Sequence, residues 1–194
     1  DESVVRRAEE DLLYHVRVLE ALGTGAESKI VLHVGGVYGD RTQAIRRFCN
    51  NYKNLDPSIK ERLVIENDDK NYSIEEVLRI GNELGIPVVF DNLHHQINPP
   101  ASESDWIELA GTTWKPKDGR QKVHYSQQEP GKRPGSHSET IHTDEFLMFY
   151  QAMKSKPIDL MLEVKDKNLS AVKCINLIAE DKEIGRLEKE WSRY

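Results

Sequence analysis

The feature that most constrains this chain is a recurring alternation of short apolar runs with helical patterns. Runs rich in Val, Ile and Leu begin near residues 29, 62, 86, 121 and 158, at spacings of 33, 24, 35 and 37. That is the length of a strand, a helix and their two loops, the connection that parallel strands require. The runs 29–34, 62–66, 86–91 and 158–164 are near-continuous in apolar residues, as expected of strands buried on both faces. Residues 121–125 make a weaker fourth strand. Pro87 is tolerable where it stands, at a strand start.

Helical patterns fill the intervals. Val5, Ala8, Leu12, Val16 and Leu19 recur at three- and four-residue spacing, with Gly23 as a stop. Ala44, Ile45, Phe48, Cys49 and Tyr52 share one face of a second helix. Ser73 and Glu76 form a capping box, and that helix closes at Gly85. Thr143, Asp144 and Glu145 open a helix carrying Phe146, Phe149, Tyr150 and Met153, and the last helix runs from 169 to about 187. The predicted class is therefore α/β with a parallel sheet, closed or open. A closed eight-stranded barrel usually needs ~250 residues. Five units in 194 residues, beginning abruptly at Asp1, predict that about three N-terminal units are missing.

The metal-type residues fall in a pattern tied to these strands. His33 ends the first strand, Glu66 the second and Asp91 the third, with His94 just beyond. Lys122 and His124 lie on the fourth, His137 follows in its loop, and Glu163 ends the fifth. In parallel strand–helix folds the site forms where the C-terminal ends of the strands gather. Taken singly, each residue has an ordinary explanation: Glu66 could pair with an arginine, Asp91 could cap a turn, and His94 and His95 could be one buried and one exposed ring. Five strands in succession with such a residue at the same edge favour a shared site. Nitrogen and oxygen ligands without thiolate suit Zn2+ or Mn2+ with open positions, and so many ligands need two or three ions. Cys49 and Cys174 sit in helical patterns away from this edge and read as core. His15 and His142 are also off it.

The formal charge of -6 counts against a general phosphate binder, although metal ions can mask carboxylates. Local charge differs. Between Trp114 and Gly135, Lys115, Lys117, Arg120, Lys122, Lys132 and Arg133 face only Asp118 and Glu129. No apolar run approaches the ~20 residues of a membrane span. No signal-peptide pattern opens the chain, and two cysteines make no disulfide framework, so the expected compartment is the cytoplasm.

Six segments carry a family resemblance: Leu32-His-Val-Gly-Gly-Val-Tyr38, Ile65-Glu-Asn-Asp-Asp-Lys70, Phe90-Asp-Asn-Leu-His-His95, Lys122-Val-His-Tyr-Ser126, Gly135-Ser-His137 and Leu162-Glu-Val-Lys165. In order and spacing they closely resemble the ultraviolet-damage endonuclease family, a TIM-barrel group similar to the type IV apurinic endonucleases. The resemblance implies a (β/α)8 TIM barrel, of which residues 1–194 would be a single domain holding the C-terminal five units. It implies up to three divalent ions, Mn2+ first and Zn2+ as the alternative. Glu66 would bridge two ions with His33 on the first; Asp91, His137 and Glu163 would serve the second; His94 and His124 would hold the third. Lys122 would stand beside them as a catalytic residue with Glu66, carboxylated in some members. The implied activity is DNA repair: hydrolysis of the phosphodiester bond immediately 5′ to a photoproduct in damaged double-stranded DNA, with no obligate protein partner. Lys115, Lys117, Arg120, Lys132 and Arg133 would hold the DNA backbone. The family's further histidine ligand and its lesion-probing residues belong to N-terminal strands outside this chain, so the first metal site is expected to be incomplete.

Two other readings compete. A sugar isomerase or epimerase on the same barrel gathers a similar ligand set, with fewer ions and no need of a basic loop. A catalytically incomplete fragment that only binds metal or DNA is the other.

Overall fold

The computed structural model describes residues 2–153 and 155–191, with side chains described through residue 181. Ile30–His33 (β1), Leu63–Glu66 (β2), Val88–Asp91 (β3), Gln121–Tyr125 (β4) and Ile158–Leu162 (β5) form one sheet. Every pairing is parallel and the order is β1-β2-β3-β4-β5. Each unit thus steps one place in the same direction, without the reversal of a doubly wound sheet. All five C-terminal strand ends consequently lie along one edge. The helices are Glu2–Ala21 (α1), Arg41–Asn54 (α2), Pro57–Arg62 (α3), Ile74–Leu84 (α4), Asn92–Ile97 (α5), Trp106–Gly111 (α6), Thr143–Met153 (α7) and Asn168–Trp191 (α8). No described helix is long and apolar enough to cross a membrane.

Local chemistry explains most helix boundaries. Asp40 caps α2 by accepting the Gln43 N–H at 3.0 Å, and Asp56 caps α3, with Pro57 as its first residue. The Ser73 N–H donates to Glu76 Oε2 at 3.0 Å, the link a capping box requires. Gly85 closes α4 in the left-handed conformation, φ 70°. Gly81 lies inside α4 because a Cβ there would meet Val88 Cγ2 at 2.5 Å and the Ile86 carbonyl at 2.9 Å. Only glycine lets this helix lie so close to β3.

Three apolar clusters hold the layers together. The largest joins Ile65, Val88 and Phe90 of the sheet to Val77 and Ile80 of α4 and Trp106 of α6. Leu12 and Val16 of α1 pack on Ile59 and Leu63. Tyr125, Phe146, Val164 and Cys174 make the third. Cys49 and Cys174 are buried free thiols, as their helical patterns suggested. β2 and β3 are buried along their whole length, whereas β1 and β5, each with one neighbour, are partly open.

The differences from expectation are local. Arg62 ends α3 instead of opening a strand, and its guanidinium is buried against the Thr24, Gly25 and Ser28 carbonyls. The fifth strand stops at Leu162, so Glu163 lies one residue past it, with its N–H still donating to the Tyr125 carbonyl at 2.9 Å. The short helices α3, α5 and α6 carry too few turns to show a periodic face. The last helix continues to Trp191.

Candidate metal centre

The site grows out of the sheet register. Pairing sets His33 opposite Glu66 and Asp91 opposite His124, at the ends of adjacent strands. Around Glu66 the side chains converge. Its Oε2 lies 3.1 Å from His33 Nε2, and its Oε1 lies 3.0 Å from His124 Nδ1 and 3.7 Å from His94 Nδ1. His124 Nδ1 is also 2.9 Å from Glu163 Oε1, and Glu163 Oε2 is 3.6 Å from His137 Nε2. Asp91 Oδ1 is 3.6 Å from His94 Nδ1, and the rings of His94 and His137 have centroids 6.5 Å apart. All seven ligand candidates therefore form one connected group.

Two side-chain amides that sequence reasoning missed set the spacing. Asn67 grips the β3 end: its Oδ1 accepts the Asp91 N–H at 2.9 Å and its Nδ2 donates to the Asp91 carbonyl at 3.1 Å. Asn92 repeats the grip one strand on, accepting from the Ser126 N–H at 2.8 Å and donating to its carbonyl at 2.9 Å. The signal was present as Glu66-Asn67 and Asp91-Asn92, the same pair after two consecutive strands. The Asn67 carbonyl lies 3.0 Å from His94 Nδ1. A carbonyl can only accept, so Nδ1 carries the proton and the Nε2 lone pair is left for a ligand. His137 is returned to the site by the turn after β4, where Gln128 bridges to it antiparallel and accepts the Gly135 N–H at 2.8 Å.

Electrostatics fit an ion. Burial opposes charge on Glu66, but hydrogen bonds from His124 and His33 outweigh it and bring its pKa down to about 2. Burial likewise opposes charge on His124, yet its bonds to Glu163 and Glu66 prevail and raise it to about 10. The bond to Glu66 raises His33, and the bond to His124 lowers Glu163. Without an ion, a protonated His124 thus holds two carboxylates together. Asp91 is different. It is fully buried, its Oδ1 caps α5 through the His94 N–H at 2.7 Å, and its Oδ2 has no partner among the described residues. Burial raises its pKa to about 6. So Asp91 caps a turn, as its ordinary explanation held, and still offers a free carboxylate oxygen.

Donor atoms spaced as in the Glu66–His124–Glu163 group, and in the His33–Glu66–His94 group, can surround a cation. Where the edges are about 3 Å, as from His124 to Glu66 and to Glu163, they match ligands ~2.1 Å from a shared centre. An orphaned carboxylate oxygen, imidazole nitrogens and no thiolate suit a borderline divalent ion.

Other candidates lie elsewhere. Lys122 is apart from the seven: Nζ is 3.5 Å from Asp159 Oδ2 and 5.3 Å from the centre of the Trp114 ring. The reason is register, since Lys122 pairs with Asp159 two residues before His124. The basic stretch also divides. Lys115, Lys117 and Arg120 precede β4, where Asp118 bonds Lys29 at 2.6 Å and Gly119 abuts Glu27, residues that lie before β1. Lys132 and Arg133 follow β4, in the turn whose Gly135 abuts Asp69, just past β2. One run of sequence is split between opposite rims, separated by a strand of roughly 16 Å. His95 is partly buried against Phe90 instead of exposed, and His15 is exposed on α1.

Known proteins share this arrangement of strands. The family model described as UV-endonuclease UvdE matches residues 1–192. A UV DNA damage endonuclease of Clostridium perfringens (strain 13 / Type A) is 46% identical over 182 residues, covering 92% of this chain and 44% of that protein. A putative UV-damage endonuclease of Acanthamoeba polyphaga mimivirus is 34% identical over 178 residues, 89% of this chain and 54% of its own length. The chain spans about half the length of these relatives. The crystal structure of SacUVDE superposes with a TM-score of 0.86 at 40% identity, over 94% of this chain and 61% of that one. The chain belongs to the UvdE family of UV-endonucleases.

Proposed function

We propose that this chain is the C-terminal, metal-holding part of a DNA repair endonuclease that hydrolyses the phosphodiester bond immediately 5′ to ultraviolet photoproducts. Residues 1–194 would form one domain, five units of a (β/α)8 TIM barrel completed by strands outside the chain. The strand order supports this, since it advances in one direction without a switch point. The observation that carries the reading is the meeting of Glu66, His124 and Glu163 around one point, beside the unpartnered Asp91 Oδ2.

His33, Glu66, Asp91, His94, His124, His137 and Glu163 would hold up to three divalent ions, Mn2+ before Zn2+. Such ions would supply an activated water and neutralise the phosphate as it is attacked. Glu66, with His33 at Oε2 and His124 and His94 at Oε1, would orient the centre. To receive an ion, His124 would give up the proton that Glu66 and Glu163 hold on it, so metal uptake would release protons. Lys132 and Arg133, on the turn after β4, would meet the DNA backbone, a contact that fixes register without reading bases. Lys115, Lys117 and Arg120 are left out of that contact, and Lys122 stays with Asp159 and Trp114. The family match argues against a sugar isomerase.

Elemental analysis for bound metal, combined with nicking of ultraviolet-irradiated plasmid, tests the proposal. We expect bound Mn2+ or Zn2+ and nicks only in irradiated DNA. Bound metal without nicking would leave a binding fragment. Nicking that persists in chelator would overturn the metal assignment.

A further inference from the structure

The loop after β1 holds an unusual side chain. Tyr38 adopts a left-handed backbone, φ 53°, and is 87% exposed. A non-glycine residue at positive φ is strained, and the strain persists only where the surroundings impose it. Glycines surround it here and accommodate the turn. Gly35 and Gly39 are themselves left-handed, at φ 106° and 87°. Gly36 leaves room for the phenol, since a Cβ there would lie 2.9 Å from two of its ring carbons. The ring is propped over the Gly36 backbone with most of its surface in water.

Little packing among the described residues offsets this strain. Tyr38 rims a cavity of about 670 Å³ between α1 and α2 without filling it, and His33 lines the same cavity. A strained, exposed aromatic five residues past His33 therefore contributes outward, toward whatever reaches that rim. Rigid aromatic faces at a nucleic-acid site bind unstacked bases, because every base has a π-face. We propose that Tyr38 is a positioning residue that stacks on a nucleobase displaced beside the lesion, which rests on the endonuclease reading above.

The test uses duplex DNA carrying one thymine dimer with 2-aminopurine next to it. Nicking kinetics and stopped-flow fluorescence are compared for the parent, Tyr38→Ala and Tyr38→Phe. Tyr38→Ala should raise KM roughly 10-fold, the range of one lost base stack, with kcat nearly unchanged. It should also abolish the fluorescence change on binding, and Tyr38→Phe should keep it. The Tm of Tyr38→Gly should equal or exceed the parent's, since the residue is strained and packs on little. Unchanged KM and fluorescence in Tyr38→Ala would overturn the stacking role while leaving the endonuclease reading intact. A lower Tm in Tyr38→Gly would overturn it too, assigning the ring to packing. A parent that neither binds nor nicks the dimer duplex would sink the endonuclease reading, and this proposal with it.

Discussion

Glu66, Asp91 and His124, on β2, β3 and β4, are buried, whereas the His33, His137 and Glu163 side chains are 43%, 30% and 33% exposed. The same kinds of group thus live under two regimes in one site. Inner strands have neighbours on both sides, and their polar ends are shut away from water. Outer strands have one neighbour each, so His33 and Glu163 stay open on that flank, while His137 is open because it sits on the turn after β4. A charge in the inner half must be balanced by the protein itself, so its geometry is set before any ion arrives. The outer half stays open to water and keeps more freedom to adjust.

Breaking the inner half should have the largest effect. Glu66→Ala removes the carboxylate shared by His33 and His124, and irradiated-plasmid nicking should fall by more than the ~10–100-fold typical of a ligand's outer partner. The metal-free protein should also lose ~3 kcal/mol in urea unfolding, because a buried pair stripped of one member leaves an unbalanced charge. Unchanged nicking would end the site assignment.

The pH dependence of the metal-free protein separates the same groups. His124 titrates at about 10 when folded and near 6.5 when unfolded, so its stabilisation is complete below 6.5 and is lost as pH rises through 10. Asp91, raised to about 6 from 3.8, adds a fall in stability between those values as pH rises. Glu66, lowered to about 2, contributes above 4.5 and is lost only as pH falls through 2. Thermal melts should therefore show Tm declining from neutral pH to about 10. His124→Gln should flatten that limb, and added Mn2+ should reverse it, since the ion replaces the proton. A flat alkaline limb in the parent would contradict the His124 geometry.

Two glycines sharpen the contrast in packing. Gly81→Ala would push a methyl into Val88 and the Ile86 carbonyl, costing about 2 kcal/mol despite the better helix propensity of alanine. Gly36→Ala meets only the end of the Tyr38 ring, which can swing away, and should cost less than about 1 kcal/mol. Chemical denaturation of both variants compares a fixed centre with a yielding edge.

The smallest effect distinguishes the two rims. Lys132→Ala should lower the dependence of DNA affinity on log salt by about one unit, and Lys117→Ala should leave it unchanged. Equal changes would put DNA across both rims.

Much of this was legible in the chain. Apolar runs located all five strands to within two residues at either end, and Ser73, Glu76 and Gly85 marked both ends of α4, because these signals act over a few neighbouring residues. Strand-end His and carboxylate residues named the cluster for the same reason. The Asn67 and Asn92 grips escaped notice because an amide's target lies 24 or 34 residues away. Asp91 joins the cap and ligand readings, since Oδ1 caps while Oδ2 has no hydrogen-bond partner among the described residues.

By itself, the order of residues determined the strand–helix alternation and which side chains stand at strand ends, since both follow from local periodicity and capping. Only the tertiary structure decided which of those ends meet. Parallel register brought His33 to Glu66 and Asp91 to His124, set Lys122 against Asp159, and sent one basic run to two rims. Proximity along a chain says little across a strand, because its two ends are held apart by an extended backbone, while its lateral neighbours lie only ~4.8 Å away.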